Sequence, residues 1–250
     1  MKHANLKSVL VIPDLEIPYE DKRSLNAVEK LMADHEWDEI VQIGDFVDLD
    51  CISSHNKNNL RAVSNKSLFK DYDYANSILD RWQRLTKAKI TIIEGNHEYR
   101  IERYIDANPQ LEGLVEVPVG LKLKTRSINW IPYWSSGELY KIGKACFIHG
   151  QYTNEHHAKK TVSRFGDNVF YGHTHDVMCF SQVLRGKDKT IVGQSLGCLC
   201  DYSQSYLQGR PTNWQQAIAV FHFFPDGYFQ YNVIRIFKHR FYYGGKIYEG

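Results

Sequence analysis

A chain of 250 residues, 43% hydrophobic and 24% charged, is long enough to bury a core of its own without disulfide staples. Its net charge of +2 is too mild to argue by itself for nucleic acid, although Lys and Arg can still gather locally. Five cysteines, an odd number with no C-x-x-C pair, speak against a disulfide framework and against a zinc finger. Cys198-x-Cys200 is too closely spaced for either pattern, and a redox or metal role for it is the lesser reading. The apolar run before Pro13 and Asp14 is shorter than the roughly 7–15 residues of a signal peptide. No stretch approaches the ~20 apolar residues of a membrane span. A cytoplasmic, reducing location and no membrane partner are expected.

Residues 7–13 read as a buried strand. The spacing of AVEKLM predicts a helix from about Asp21, with Asp21 and Ser24 as candidate caps. A strand at 39–44 follows, then a long loop over 49–67, rich in Asn, Ser and Lys. A helix at about 68–86 and a strand at 89–94 complete a β-α-β-α-β opening, which predicts parallel strands. Residues 98–107 read as a short charged helix ended by Pro109.

From residue 127 the pattern turns to β. INWIPYW, GELYKIG, KACFIHG, DVMCFSQVL, KTIVGQS, QAIAVFHFFP and GYFQYNVIRIF are separated by turn residues, with one helix at about 155–165. Phe224-Pro225-Asp226-Gly227 is a strong turn between two long strands. The terminal FKHRFYYGGKIY reads as a hairpin with a Gly-Gly turn. Its mixture of bases and aromatics also suits stacking on single-stranded nucleic acid, which is the sharper but less favoured reading. No linker or repeat interrupts the chain, so residues 1–250 are expected to form one domain with two facing sheets and helices outside.

Five acid, amide and imidazole clusters each follow a short apolar run. They are Asp14-x-Glu16, Gly44-Asp45-Phe46-Val47-Asp48, Gly95-Asn96-His97-Glu98, His149-Gly150 and Gly172-His173-Thr174-His175. Alone, an Asp after a strand is a turn residue and a His-x-His is an accident. Together they point to one metal site at the carboxyl edge of a sheet. The four glycines are expected to let the backbone turn sharply beside each ligand. Asp45 can bridge two cations. With Asp14, Glu16, Asn96, His149, His173 and His175 it gives seven ligands, too many for one tetrahedral zinc but matched to two metals.

In order and spacing these clusters resemble the calcineurin-like metallophosphoesterases, whose pattern is D-x-H, G-D-x-x-D, G-N-H-D/E, H and G-H-x-H. The match runs from residue 14 to 175, and Gly197–Cys200 through Asn213-Trp214 resembles bacterial and phage members. The resemblance implies an α/β fold, a four-layer αββα sandwich with two facing mixed sheets. It implies metal one on Asp14, residue 16, Asp45 and His175, and metal two on Asp45, Asn96, His149 and His173. It makes His97 the group that protonates the leaving oxygen and Asp48 the residue that orients His97. The reaction implied is in-line attack on phosphorus by a metal-bridging hydroxide.

Glu16 stands where the family usually has His. As a ligand it adds a negative charge and favours Mn²⁺ or Mg²⁺ over Zn²⁺, with Fe also compatible with the site. The rival reading has Glu16 pointing away and metal one loosely held. Arg100 is the first candidate for phosphate contact, ahead of Arg103. His55 and Tyr152 are further candidates, while for His156 and His157 a surface or capping role wins for at least one. In the protein Ser/Thr phosphatases of this superfamily Arg-Gly follows G-D-x-x-D, whereas here Leu49-Asp50 follows. The expectation is a phosphodiesterase or nuclease acting on nucleic acid or nucleotides. A phosphomonoesterase, a nucleotide pyrophosphohydrolase and a non-catalytic metal-binding scaffold are the alternatives.

Overall fold

The computed structural model describes residues 6–56, 60–186, 189–202, 207 and 209–250. Strands β1 (Lys7–Ile12), β2 (Glu39–Gln42), β3 (Lys89–Ile93) and β4 (Asn129–Ile131) run parallel in that order. Next in the chain come β5 (Tyr140–Ile142), β6 (Ala145–Ile148), β7 (Asn168–Tyr171), β8 (Cys179–Leu184) and β9 (Lys189–Ser195). They form a second, five-stranded sheet in the order β5-β6-β7-β9-β8. Strands β10 (Ala217–Phe223) and β11 (Phe229–Arg235) return to the first sheet, where β10 lies antiparallel to β1. The hairpin β12 (Arg240–Tyr243) and β13 (Lys246–Glu249) packs on the helix Lys22–Asp34.

Strand side chains alternate between faces, and that alternation builds two cores. Leu10, Ile12, Ile40, Ile90 and Ile92 pack against the helices Lys22–Asp34 and Leu68–Leu85, with Leu25, Val28, Ile78 and Trp82 among the contacts. Val9, Val11, Val41 and Ile93, with Phe221 of β10, face Phe147 and Phe170 of the second sheet. The helix His157–Phe165 covers that sheet's outer face, over β7, β8 and β9. It lies so close that a Cβ on Gly193 would sit 2.5 Å from the Ala158 carbonyl. The layers are therefore helix, sheet, sheet, helix, the α/β sandwich expected.

Asp21 caps the first helix by accepting from the Ser24 amide at 2.8 Å. The FPDG and Gly-Gly turns fall where the sequence puts them. Two readings need correction. The stretch read as a loop over 49–67 contains short helical turns at Asp50–Ile52 and Ser54–Asn56 and a helix at Leu60–Val63. INWIPYW is not one strand: β4 ends before Pro132, and Tyr133–Ser136 is a helical turn. Residues 109–126, not assigned from sequence, hold turns at Pro109–Leu111, Val117–Gly120 and Leu123–Arg126. No helix among the described residues is long and apolar enough to cross a membrane.

Phe170 is fully buried, with ring centroids of Phe221 at 4.7 Å and Tyr231 at 4.8 Å. Phe170→Ala should cost about 3–5 kcal/mol of stability, the usual range for emptying such a site. Urea unfolding should show a lower midpoint with an unchanged slope, and a loss below about 1 kcal/mol would refute the packing account.

Candidate metal centre

The clusters follow β1, β2, β3, β6 and β7, so the carboxyl ends of parallel strands in both sheets meet at one place. His175 Nε2 lies 3.3 Å from Asp14 Oδ1 and 3.5 Å from Glu16 Oε1. His149 Nε2 lies 3.2 Å from Asp45 Oδ2 and 2.9 Å from Asn96 Oδ1. Ligating atoms of Asp14, Asp45 and His175 are mutually within 4.8 Å, as are those of Asp45, His149 and His173. Asp45 belongs to both groups. Glu16 does not point away: its Oε1 sits between His175 Nε2 and, at 3.8 Å, His97 Nδ1.

Four of these residues hold backbone conformations that ordinary side chains avoid. Glu16, Asp45, His173 and His175 have φ of 50°, 50°, 66° and 59°. Such strain persists only where surrounding bonds over-determine it. The Glu16 amide donates to the Asp45 carbonyl at 2.8 Å, the His173 amide to Asp14 Oδ1 at 2.8 Å, and the Gln215 amide to the His175 carbonyl at 2.7 Å. Gly44 and Gly150 do turn the chain at positive φ. Gly95 and Gly172 serve a different end, close approach. A Cβ on Gly172 would stand 2.0 Å from Asp14 Oδ2, and one on Gly95 2.2 Å from Asp45 Oδ1.

Glu98, part of a recognised cluster but given no role from sequence, ties two of these loops together. It is fully buried and accepts from the amides of Gly95 at 2.8 Å, Asp45 at 2.9 Å and Val47 at 2.9 Å. Burial, reinforced by Asp45, lifts its carboxyl to about 7 against those bonds. Trp134 packs edge-on against His149, with centroids 5.9 Å apart, and tilts over His173 at 5.5 Å. Trp214 packs edge-on to His175 at 4.3 Å, and Cys200 Sγ lies 3.7 Å from His175 Nδ1. Nothing in the sequence signals Trp134, since only the fold brings it near.

The substrate candidates fare unevenly. Arg100 does not offer a free guanidinium: its Nη1 donates to the Asp48 carbonyl at 2.5 Å and to Asp48 Oδ1 at 2.7 Å. Asp48 Oδ2 lies 3.2 Å from His97 Nδ1, so Arg100, Asp48 and His97 form a chain. Tyr152 is half-buried beneath the Lys160 amine, 4.3 Å from its ring centre. Arg103 is exposed on the outer helix face. The His55 side chain lies outside the described residues. His156 is exposed at the start of its helix, while His157 is buried between Tyr171 at 2.7 Å and Asp176 at 3.1 Å.

The electrostatics are those of a site built for cations. Burial alone would lower the imidazoles, but Asp45, Asp14 and Glu98 together outweigh it and lift His149 to about 9. Asp45 and Asp48 do the same for His97, also to about 9. Burial is likewise outweighed at His175, which Glu16 and Asp14 hold well above its ordinary value. His173, half-buried, is lowered to about 3 by desolvation and by the neighbouring His149. At Asp45 the pull of His149 and His97 overcomes burial and holds the carboxyl well below the usual range. Burial raises Glu16. Asp14 Oδ2, buried in the centre of the site, accepts no hydrogen bond. An orphaned carboxylate oxygen among mixed oxygen and imidazole donors fits a divalent cation.

Metal uptake must displace protons from this site, because imidazole ligates only when neutral. His149 and His175 are protonated at neutral pH, and His173 is already neutral. Mn²⁺ binding near pH 7 should therefore release on the order of two protons. Apparent affinity should rise from pH 6.5 toward 9, the interval over which His149 is displaced. Titration calorimetry in buffers of different ionisation enthalpy measures this. Affinity independent of pH across that window would contradict the paired arrangement.

The chain belongs to the calcineurin-like phosphoesterase family, a family of metal-dependent phosphoesterases whose profile matches residues 7–177. It is similar to the Gene 54 protein of Mycobacterium phage L5, with 24% identity over 86% of this chain and 88% of that one. Among solved structures it resembles Vacuolar Protein Sorting 29 of Cryptosporidium parvum, at 14% identity and a TM-score of 0.49. That likeness covers 98% of this chain and 96% of that one. It also resembles the Pseudomonas putida nuclease MPE, at 14% identity and a TM-score of 0.38, over 96% of this chain and 86% of that one.

Proposed function

We propose that the protein is a two-metal phosphodiesterase acting on nucleic acid or nucleotides. The observation that carries the two-metal reading is Asp45, shared between one carboxylate-imidazole group built on Asp14 and His175 and another built on His149 and His173. Glu16 would complete the first set and Asn96 the second. When bound, two divalent ions, with Mn²⁺ the first choice for so oxygen-rich a set, supply positive charge to phosphoryl oxygens and acidify water.

The rest is done by the chain's own residues. His97 is buried, its imidazole lifted to about 9 by Asp45 and Asp48 in the metal-free chain, and it would give its proton to the leaving oxygen. Asp48 holds the imidazole orientation, and Arg100 holds Asp48. Glu98 keeps the Asp45 and His97 loops in register. The diester reading is supported by the surroundings. After the Asp48 turn comes Leu49, fully buried, and the Asp50 carboxylate is taken by Tyr19 at 2.7 Å and by Lys66. Aromatic walls, Trp134 and Trp214, border the histidines, and every base has a face to lay on such a ring.

The purified protein in Mn²⁺ should hydrolyse bis-p-nitrophenyl phosphate faster than the monoester, and should cleave single- or double-stranded DNA or RNA. A preference for the monoester would favour the phosphomonoesterase alternative. No hydrolysis of any substrate in Mn²⁺, Mg²⁺, Zn²⁺ or Fe²⁺ would sink the enzymatic reading and leave a metal-binding scaffold.

Glu16 permits a sharper check. Glu16→Ala should weaken the metal at Asp14 and His175 more than the one at His149 and His173. Glu16→His should fold and shift preference toward Zn²⁺. Metal content and activity of Glu16→Ala equal to wild type would remove Glu16 from the ligand set.

A further inference from the structure

Beside the metal centre, on the far side of Trp214, lies a cavity of about 510 Å³. Volumes of about 300–1,000 Å³ are those of small-molecule sites. Its walls come from three segments, Asp201–Tyr202, Trp214–Gln216 and Arg235–His239, with Asp21 across from them. The third segment contains the Phe-Lys-His of the basic and aromatic terminal motif. Phe237 is 68% exposed and Tyr202 46%, which is unusual for large rings that have a core within reach. Lys238 and His239 hold left-handed backbone at φ of 50° and 61°, so the loop that carries them to this wall is itself strained.

The charges sort themselves. Asp21 is occupied by the Ser24 amide, by Gln216 Nε2 at 3.0 Å and by His239 Nδ1 at 3.0 Å. Asp201 also faces the cavity and has a partner of its own. Arg235 and Lys238 are exposed, and among the described residues neither enters an ion pair. The wall therefore offers three aromatic rings, the side-chain amide of Gln215, and two available cations. A planar hydrogen-bonding ring joined to a phosphate matches each of these; a phosphoserine or phosphothreonine side chain leaves the rings unused, and a phosphotyrosine ring leaves the amide unused. The Gln215 amide donates to the His175 carbonyl at 2.7 Å, and the Trp214 ring touches His175. An occupant of the cavity is thus one residue's thickness from the metal ligands.

We propose that this cavity seats the nucleoside next to the scissile phosphate, its base stacked among Trp214, Tyr202 and Phe237 and its outer phosphate on Arg235 and Lys238. The inference rests on the nucleic-acid reading above and extends it to a defined subsite.

The test uses the whole protein and the variants Phe237→Ala, Trp214→Ala and Arg235→Ala/Lys238→Gln. Anisotropy of a fluorescein-labelled, mixed-sequence single-stranded DNA, measured in EDTA, reads binding without turnover. Phe237→Ala and Trp214→Ala should each weaken binding about tenfold, the size of one lost base stack. The double variant should weaken it and reduce the slope of log K against log salt by about 1–2. Phe237 lies outside every metal-ligand group among the described residues, so Phe237→Ala should bind Mn²⁺ with the stoichiometry and affinity of wild type.

Unchanged DNA binding in all three variants overturns the subsite and leaves the phosphodiesterase reading standing. Loss of Mn²⁺ binding alongside DNA binding in Phe237→Ala makes the cavity scaffold, which also overturns it. A wild type that hydrolyses bis-p-nitrophenyl phosphate yet neither binds nor cleaves nucleic acid removes the substrate class and the subsite together.

Discussion

Asp45→Asn should strip the protein of both metals. The substitution keeps the shape of the side chain but removes the one carboxylate common to both ligand groups. Loss of an outer partner of a ligand costs about 10–100-fold in metal affinity, and loss of a shared ligand should cost more for each ion. Hydrolysis of every substrate should fall with metal content. The variant has a second signature in metal-free protein. Asp45 is the largest of the influences that lift His149 and His97 to about 9, so both imidazoles should titrate nearer 6.5 in Asp45→Asn. Histidine NMR titration reads this directly. Two tightly bound ions in the variant would end the shared-ligand assignment.

His97→Asn should leave both metals in place and slow the reaction about 10²–10⁴-fold on natural diesters, the usual contribution of a positioned acid. The loss should be much smaller with p-nitrophenolate as leaving group, because that anion hardly needs a proton. Equal losses with good and poor leaving groups would count against His97 as the acid. Metal analysis guards the reading from the other side. His97 Nδ1 also clusters with carboxylate oxygens of Glu16 and Asp48, so loss of an ion in the variant would make it a ligand instead.

Much of this was legible in the sequence, and the reason is physical. Strands buried on both faces read as short apolar runs, and the residue after such a run sits at a fixed sheet edge. Asp14, Asp45, Asn96, His149 and His173 could therefore be placed together before any fold was known. What escaped detection depends on approach across the fold. The hold of Glu98 on the Asp45 and Val47 amides spans some fifty residues of sequence. Arg100 looked free because its partner, Asp48, lies on another loop. Gly95 and Gly172 looked like turn residues, whereas what they provide is room for carboxylates arriving from other strands. The short helical turns over 109–126 carry too few residues for a period to show.

The central claim is that this chain assembles one centre for two divalent ions around Asp45. Its most direct test is the stoichiometry and order of Mn²⁺ binding to metal-free wild-type protein, by titration calorimetry with elemental analysis of the gel-filtered complex. The account predicts two ions per chain, both lost in Asp45→Asn, and a single weakened ion in Glu16→Ala. One ion per chain in the wild type, or two that survive in Asp45→Asn, would contradict it.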